Sequence, residues 1–394
     1  MSVYLDHAAT TPLRAEARDA WLAASATVGN PSSIHGGGQA ARRVLEDARE
    51  RIAAALHADP IEVVFTSGGT ESVNLATKGL WWARQGDAQA VVLPDGEHHA
   101  TLDAVAWLNV QQGAEVRSVP LRPTGAIDTA AFAAALPGAA VATALVANNE
   151  VGTVNDVIAL SASAAEAGVP LHLDAVGAFG HVDVDFAAWR GAASGAAGLS
   201  ALSVSAHKIG GPVGIGALVV SRHVTPAALL HGGGQQRGLR SGTQDIAGAA
   251  AFAAAAELAV AEREREAARV GALRDRLVAG IRRLVPEAEL LGDPQRRLPG
   301  NAHVLFPGVA GETLLFLLDQ QGIAVSTGSA CQAGVPEPSH VVRALGRSDD
   351  EARSVLRLSL GRTTTDADVD ALLAALPDAH ARAAAAGARS RARS

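Results

Sequence analysis

Short apolar runs alternate with longer stretches of helical periodicity through the first part of the chain. The runs at residues 63–65, 91–93, 116–119, 141–146, 171–173, 202–204 and 215–220 have strand length. Between them, residues 39–56, 70–84, 100–112 and 160–167 repeat their apolar positions at helical spacing. Strands that alternate with helices call for crossover connections, and so for a mostly parallel sheet flanked by helices. In such sheets ligands bind beyond the carboxyl ends of the strands.

Further on the pattern changes. Residues 247–284 form one long Ala/Glu/Arg helical stretch. It leads into a smaller α+β unit: a strand at 302–306, a helix at 312–320, a strand at 355–359 and a helix at 366–376. Residues 379–394 are Ala, Arg and Ser with no apolar period beyond alanine, which reads as a frayed, solvated end.

Composition narrows the class. A hydrophobic content of 48% supplies a sizeable core, and a net charge of −7 gives no drive toward nucleic acid or an anionic membrane. The single cysteine excludes an internal disulfide and any Cys-rich metal centre within one chain, and a reducing cytoplasm is the natural setting. No apolar run is long enough for a membrane span, and Met1-Ser-Val-Tyr-Leu-Asp-His7 lacks the pattern of a signal peptide. His35, His172, His181, His303 and His340 show no metal-ligand spacing, so no metal is expected.

Two of the 33 basic residues are lysine. Where charge alone suffices this sequence uses arginine, so a lysine points to a task arginine cannot perform. Lys78 suits a helix C-terminus. Lys208 follows an apolar run, in Ser205-Ala-His-Lys208, where a desolvated amine can lose its proton and form a Schiff base. Cys331 sits in the small-residue string Ser326-Thr-Gly-Ser-Ala-Cys331, a setting for a nucleophilic thiol.

Phe65-Thr-Ser-Gly-Gly-Thr-Glu-Ser72 takes a strand into a glycine loop and a helix start, an anion cradle without the lysine of a nucleotide P-loop. Asp174 ends a strand and can keep a pyridinium nitrogen protonated. Each alone has a bland counterpart: a Thr-capped turn, a helix cap, a surface lysine. Their order of cradle, aspartate and lysine on successive strands points to pyridoxal 5'-phosphate (PLP).

The chain resembles cysteine desulfurases of the NifS/IscS type, fold-type I PLP enzymes related to class-V aminotransferases. The resemblance runs from Tyr4-Leu-Asp-His-Ala-Ala-Thr-Thr-Pro12 to Leu356-Arg-Leu-Ser-Leu-Gly-Arg362. It takes in Gly29-Asn-Pro-Ser-Ser33, Glu97-His-His99, Asn148-Asn-Glu-Val-Gly152, the Lys208 and Cys331 strings, and His231 to Thr243. It implies an α/β fold: a large domain, 15–260, around a mostly parallel seven-stranded sheet, and a smaller α+β domain from 1–14 and 261–380 carrying the Cys331 loop. Residues 381–394 would be a disordered tail.

The resemblance also implies roles. Lys208 holds PLP as a Schiff base and shuttles the substrate's α-proton. His98 stacks on the ring and serves as acid and base, Asp174 pairs with the ring nitrogen, and Asn149 lies nearby. Gly69, Thr70, Ser205 and His207 bind the phosphate, joined by Thr243 from the partner subunit of a homodimer. Arg357 and Asn30 hold the carboxylate of L-cysteine, and Cys331 takes its sulfur as a persulfide for a sulfur-acceptor or scaffold protein, as in iron–sulfur cluster assembly.

One position departs from that pattern. In the family the aspartate is followed three residues on by glutamine, which bonds the cofactor's phenolic oxygen; here Asp174-Ala-Val-Gly177 offers no side chain. Two other readings stay open: a selenocysteine lyase or other PLP β-lyase, which needs no protein thiol, and a desulfurase-like scaffold without activity. An esterase is not supported: His231-Gly-Gly-Gly234 has no Gly-x-Ser-x-Gly elbow beside it.

Overall fold

The computed structural model describes residues 3–84, 86–328 and 337–391. Seven strands form the central sheet, in the spatial order Val63–Thr66, Gly216–Val220, Gly198–Ser205, Pro170–Asp174, Ala139–Leu145, Ala90–Pro94, Glu115–Val119. Gly216–Val220 is antiparallel to both neighbours, and every other pairing is parallel. The strands with the longest apolar runs lie centrally and are buried along their whole length, as expected where helices cover both faces. The seven strands and the mostly parallel sheet legible in the sequence are therefore present.

The edge strand Val63–Thr66 is closed off by a side chain. Gln236 accepts from the Phe65 N–H at 2.7 Å and donates to the Phe65 carbonyl at 2.7 Å, occupying the groups a further strand would take.

Two main hydrophobic clusters flank the cavity described below. One gathers the sheet and the helices around Leu45, Ile52, Phe186 and Phe252. The other gathers Val3, Leu5, Leu277, Ile281, Val304, Leu314, Leu356 and Leu372. The 39-residue helix Ile246–Leu284 serves both: Phe252 and Ala256 enter the first cluster, Val270 and Leu277 the second. The second unit has a three-stranded antiparallel sheet, ordered Val355–Ser359, Asn301–Leu305, Glu289–Leu291. The chain's first strand, Val3–Tyr4, pairs in parallel with Ile323–Ala324.

The C-terminal end differs from its sequence reading. The helix Asp366–Arg391 continues through the stretch that composition alone presents as frayed. Ala379 and Ala383 are buried in the second cluster, and the His380 ring lies 6.0 Å from that of Phe306. Alanine is the best helix former, and a stripe of it packs without needing larger apolar residues to mark the face.

Candidate active site

A cavity of about 460 Å³ opens beyond the carboxyl ends of the sheet strands, walled on its other side by the second unit. Gly69, Thr70, His98, Asn149, Asp174, His207, Lys208 and Arg357 all line it.

The anion cradle forms where the strand Val63–Thr66 meets the helix Gly69–Trp82. Gly68 turns the chain at φ +148°, a conformation that favours glycine. Gly69 is held close to its neighbour: a Cβ there would stand 2.7 Å from Val176 Cγ2. The helix begins with backbone N–H groups that have no intrahelical acceptor. Beside them lies Ser205, whose Oγ is buried without a hydrogen-bond partner among the described residues. An unpaired buried hydroxyl next to a helix start is costly unless a ligand completes it.

Asp174 closes the strand Pro170–Asp174, and its Oδ1 accepts from the Val176 N–H at 2.8 Å. Burial pushes its carboxyl up to about 6, opposed by that hydrogen bond and by the Lys208 ammonium. Lys208 ends the short 3-10 turn Ala206–Lys208 that follows the strand Gly198–Ser205. Its Nζ donates to the carbonyls of Ala8, at 2.5 Å, and Ala9, at 3.0 Å. Burial and the nearby Arg357 charge lower its pKa to about 8, so a usable fraction is free amine near neutrality.

His98 caps the helix His99–Gln112, its Nδ1 accepting from the Ala100 N–H at 3.0 Å. Desolvation, then Lys208, lowers its pKa to about 4, so the ring is neutral and carries its proton on Nε2. His207 is lowered to about 4 by the same two causes, and its Nδ1 lies 3.2 Å from Thr10 Oγ1. Arg357, on the buried strand Val355–Ser359, donates to Asp6 Oδ1 at 2.9 Å and to the Asn149 carbonyl at 3.1 Å. Its Nε has no partner among the described residues, which leaves a fork edge for an anionic ligand.

Two sequence candidates stand apart, and Ser205, beside the cradle, is not among the residues lining the wall. Asn30 is exposed outside the cavity wall, its Oδ1 turned back to accept from the Ser32 N–H at 2.9 Å. Thr243 is also exposed and away from the wall of its own chain's cavity. Cys331 lies outside the described residues; Ser326 and Gly328, just before it, line the cavity.

The structure adds residues that single-residue reading missed. His7, Ala8 and Ala9 come from the N-terminal segment, and His181 and Asn301 complete the wall. Gly177 lines it too, and a Cβ there would meet only the Ala147 carbonyl, at 3.9 Å. Glu97, next to His98, is buried, and burial pushes its carboxyl up to about 8. Among the described residues no cluster of His, Cys, Asp or Glu could hold a metal, and no helix is long and apolar enough to cross a membrane.

A cradle with an orphaned serine, a strand-end carboxyl and a desolvated lysine, converging on one cavity, are the parts that PLP requires, and they fit it. Sheet and site together define a fold-type I PLP enzyme. Residues 3–372 match the family model Aminotransferase class-V. An IscS-like cysteine desulfurase of Mycobacterium tuberculosis is 50% identical over 388 residues, 96% of each chain. A solved NIFS-like protein superposes with a TM-score of 0.88 at 31% identity, over 97% of this chain and 100% of the other. A solved SspA in complex with cysteine gives 0.77 at 29% identity, over 92% of this chain and 100% of the other. The chain belongs to the class-V aminotransferase family, among its cysteine desulfurases of the IscS/NifS type.

Proposed function

We propose that this chain converts L-cysteine to L-alanine, with Cys331 leaving as a persulfide. One observation carries the reading: Lys208, Asp174, His98 and Arg357 converge on the cavity beside the Gly69–Thr70 cradle. The balance closes without an outside oxidant: the substrate's Cβ–S bond breaks, an S–S bond forms at Cys331, and the carbon gains the proton the thiol gives up.

PLP, held by Lys208, Asp174 and the cradle of Gly69, Thr70, Ser205 and His207, supplies the electron sink for bonds at the substrate's α-carbon. The chain's own residues do the rest. Arg357 pairs with the substrate carboxylate through its free fork edge. Lys208 Nζ, with its pKa lowered, takes up and returns the α-proton near neutral pH. His98, neutral and donating from Nε2, covers the reacting centre and hands on a proton. Asp174 would hold the cofactor's ring nitrogen in its charged form, and Asn149 would serve the same group from the cavity wall.

The exposure of Thr243 supports a homodimer in which Thr243 of one chain completes the other's cradle, and Asn30 joins Arg357 at the substrate carboxylate. The persulfide is then passed to an acceptor or scaffold protein in the cytoplasm, as in iron–sulfur cluster assembly.

Intact mass under non-reducing conditions, before and after a short incubation with L-cysteine, tests this. One added sulfur on Cys331, absent in Lys208→Ala, is expected. An unmodified Cys331 with PLP bound and pyruvate released would show a β-lyase instead, and a chain that never takes up PLP would show a scaffold.

A further inference from the structure

Glu150 sits in the turn that carries Asn149, and the mechanism above gives it no task. It is 2% exposed. Its backbone is fixed on both sides: the N–H donates to Asn148 Oδ1 at 2.9 Å, and the carbonyl accepts from Asn301 Nδ2 at 2.9 Å. Its side chain reaches toward the segment that contains Cys331. Ser339 Oγ donates to Glu150 Oε2 at 2.5 Å and itself accepts from the Val342 N–H at 3.1 Å. On the other flank a Cβ at Gly328 would stand 3.2 Å from Glu150 Oε2 and 2.8 Å from His303 Cε1. Gly328 adopts φ +88° there, so glycine is required by the backbone and by the His303 ring, with the Glu150 carboxyl close beside it.

In sequence Gly328 precedes Cys331 and Ser339 follows it. One buried carboxyl therefore hydrogen-bonds one flank of the segment that bears the nucleophile and stands beside the other. The residue before it, Asn149, accepts from Arg357 through its carbonyl at 3.1 Å. We propose that Glu150 is a positioning residue for sulfur transfer, fixing the two flanks of the Cys331 segment and tying them, through Asn149, to the arginine that receives the substrate. The sulfur-transfer part rests on the function proposed above; the anchoring itself does not.

Because Cys331 is the only cysteine in the chain, its alkylation by iodoacetamide, followed by intact mass, reports on the anchoring without any turnover. In the PLP-loaded protein, Glu150→Ala is expected to raise that alkylation rate and to slow persulfide formation by up to about a hundred-fold, the loss a misplacement of about 1 Å in a reacting group can cause. KM for L-cysteine and bound PLP should stay at wild-type values. Ser339→Ala, which keeps the acid, should move both rates in the same direction by less. Glu150→Gln, which keeps an acceptor for Ser339, should restore both.

Wild-type alkylation and persulfidation rates in Glu150→Ala would overturn the proposal. So would equal losses of PLP, KM and thermal stability in Glu150→Ala that Glu150→Gln does not restore, since Glu150 would then be a packing residue only. If the wild-type chain forms no persulfide, the function reading fails, while the alkylation series still decides the anchoring.

Discussion

Arg357 and Asp6 meet at 2.9 Å across 351 positions of sequence. The pair joins the strand Val355–Ser359 to the N-terminal segment, and both side chains are mostly withdrawn from solvent. Held by Asp6 on one nitrogen and by the Asn149 carbonyl on another, the guanidinium has little freedom left to lose when a carboxylate arrives.

Asp6→Ala should therefore weaken substrate capture more than chemistry. KM for L-cysteine is expected to rise about ten-fold, ~1.4 kcal/mol, with kcat close to wild type. Steady-state kinetics read this directly; a fall in kcat at unchanged KM would show that Asp6 serves the chemical step instead.

Lys208 titrates at about 8 in the folded chain against an ordinary 10.5. Between those values the unfolded amine keeps a proton that the folded one has lost, so stability from this site rises with pH across that window. Below about 8 both states are charged and the full burial penalty is present. In cofactor-free protein, Lys208→Met should be favoured relative to wild type at pH 7, and that advantage should shrink as pH is raised toward 10.5. Melting temperatures of both proteins across this range check it; a difference independent of pH would remove desolvation of the amine as the cause.

Gly177 leaves room where the family has glutamine. Its nearest neighbour to an added Cβ, the Ala147 carbonyl at 3.9 Å, is at ordinary contact distance. Gly177→Gln should fold normally and tighten PLP binding by ~1.5–3 kcal/mol, the worth of one added hydrogen bond to a charged acceptor. Titration of the apo protein with PLP, followed by absorbance, reads the affinity without turnover. Equal affinities would mean that another group already serves the phenolic oxygen.

Gly69 has no such room. Gly69→Ala places a Cβ 2.7 Å from Val176 Cγ2, a branched side chain that cannot swing away. Stability should fall by ~1–3 kcal/mol, as for overpacked sites, and PLP retention with it. The double variant Gly69→Ala/Val176→Ala should recover most of both losses; chemical denaturation of the two variants decides whether the clash is the cause.

The sheet was legible because burial on both faces forces short apolar runs, and the runs survive in the sequence whatever encloses them. The chemistry was legible where a residue type was rare, as with Lys208, or where glycines clustered, as at Gly68 and Gly69. What stayed hidden depends on distant neighbours. Ala8 and Ala9 serve the site through backbone carbonyls, which no side chain announces. Glu150 and Asn301 look like ordinary polar loop residues until folding buries them together. The helix through Ala379 and Ala383 was missed because alanine packing leaves no strong periodic contrast.

The N-terminal segment has a consequence for the order in which the molecule is made. Val3 and Tyr4 pair with Ile323 and Ala324, and the His7 N–H donates to the Ser359 carbonyl at 3.1 Å. During synthesis these first residues leave the ribosome early, yet their partners are among the last to appear, and contacts this distant close late. The carbonyls of Ala8 and Ala9 that receive Lys208 therefore sit in a segment held from two sides: by these distant strands, and by the Lys208 turn itself, where the Thr11 N–H donates to the His207 carbonyl at 3.2 Å. A nascent chain carries its lysine, aspartate and glycine loop well before it has a finished site, since Arg357, whose charge joins burial in lowering the amine, is made about 150 residues after Lys208.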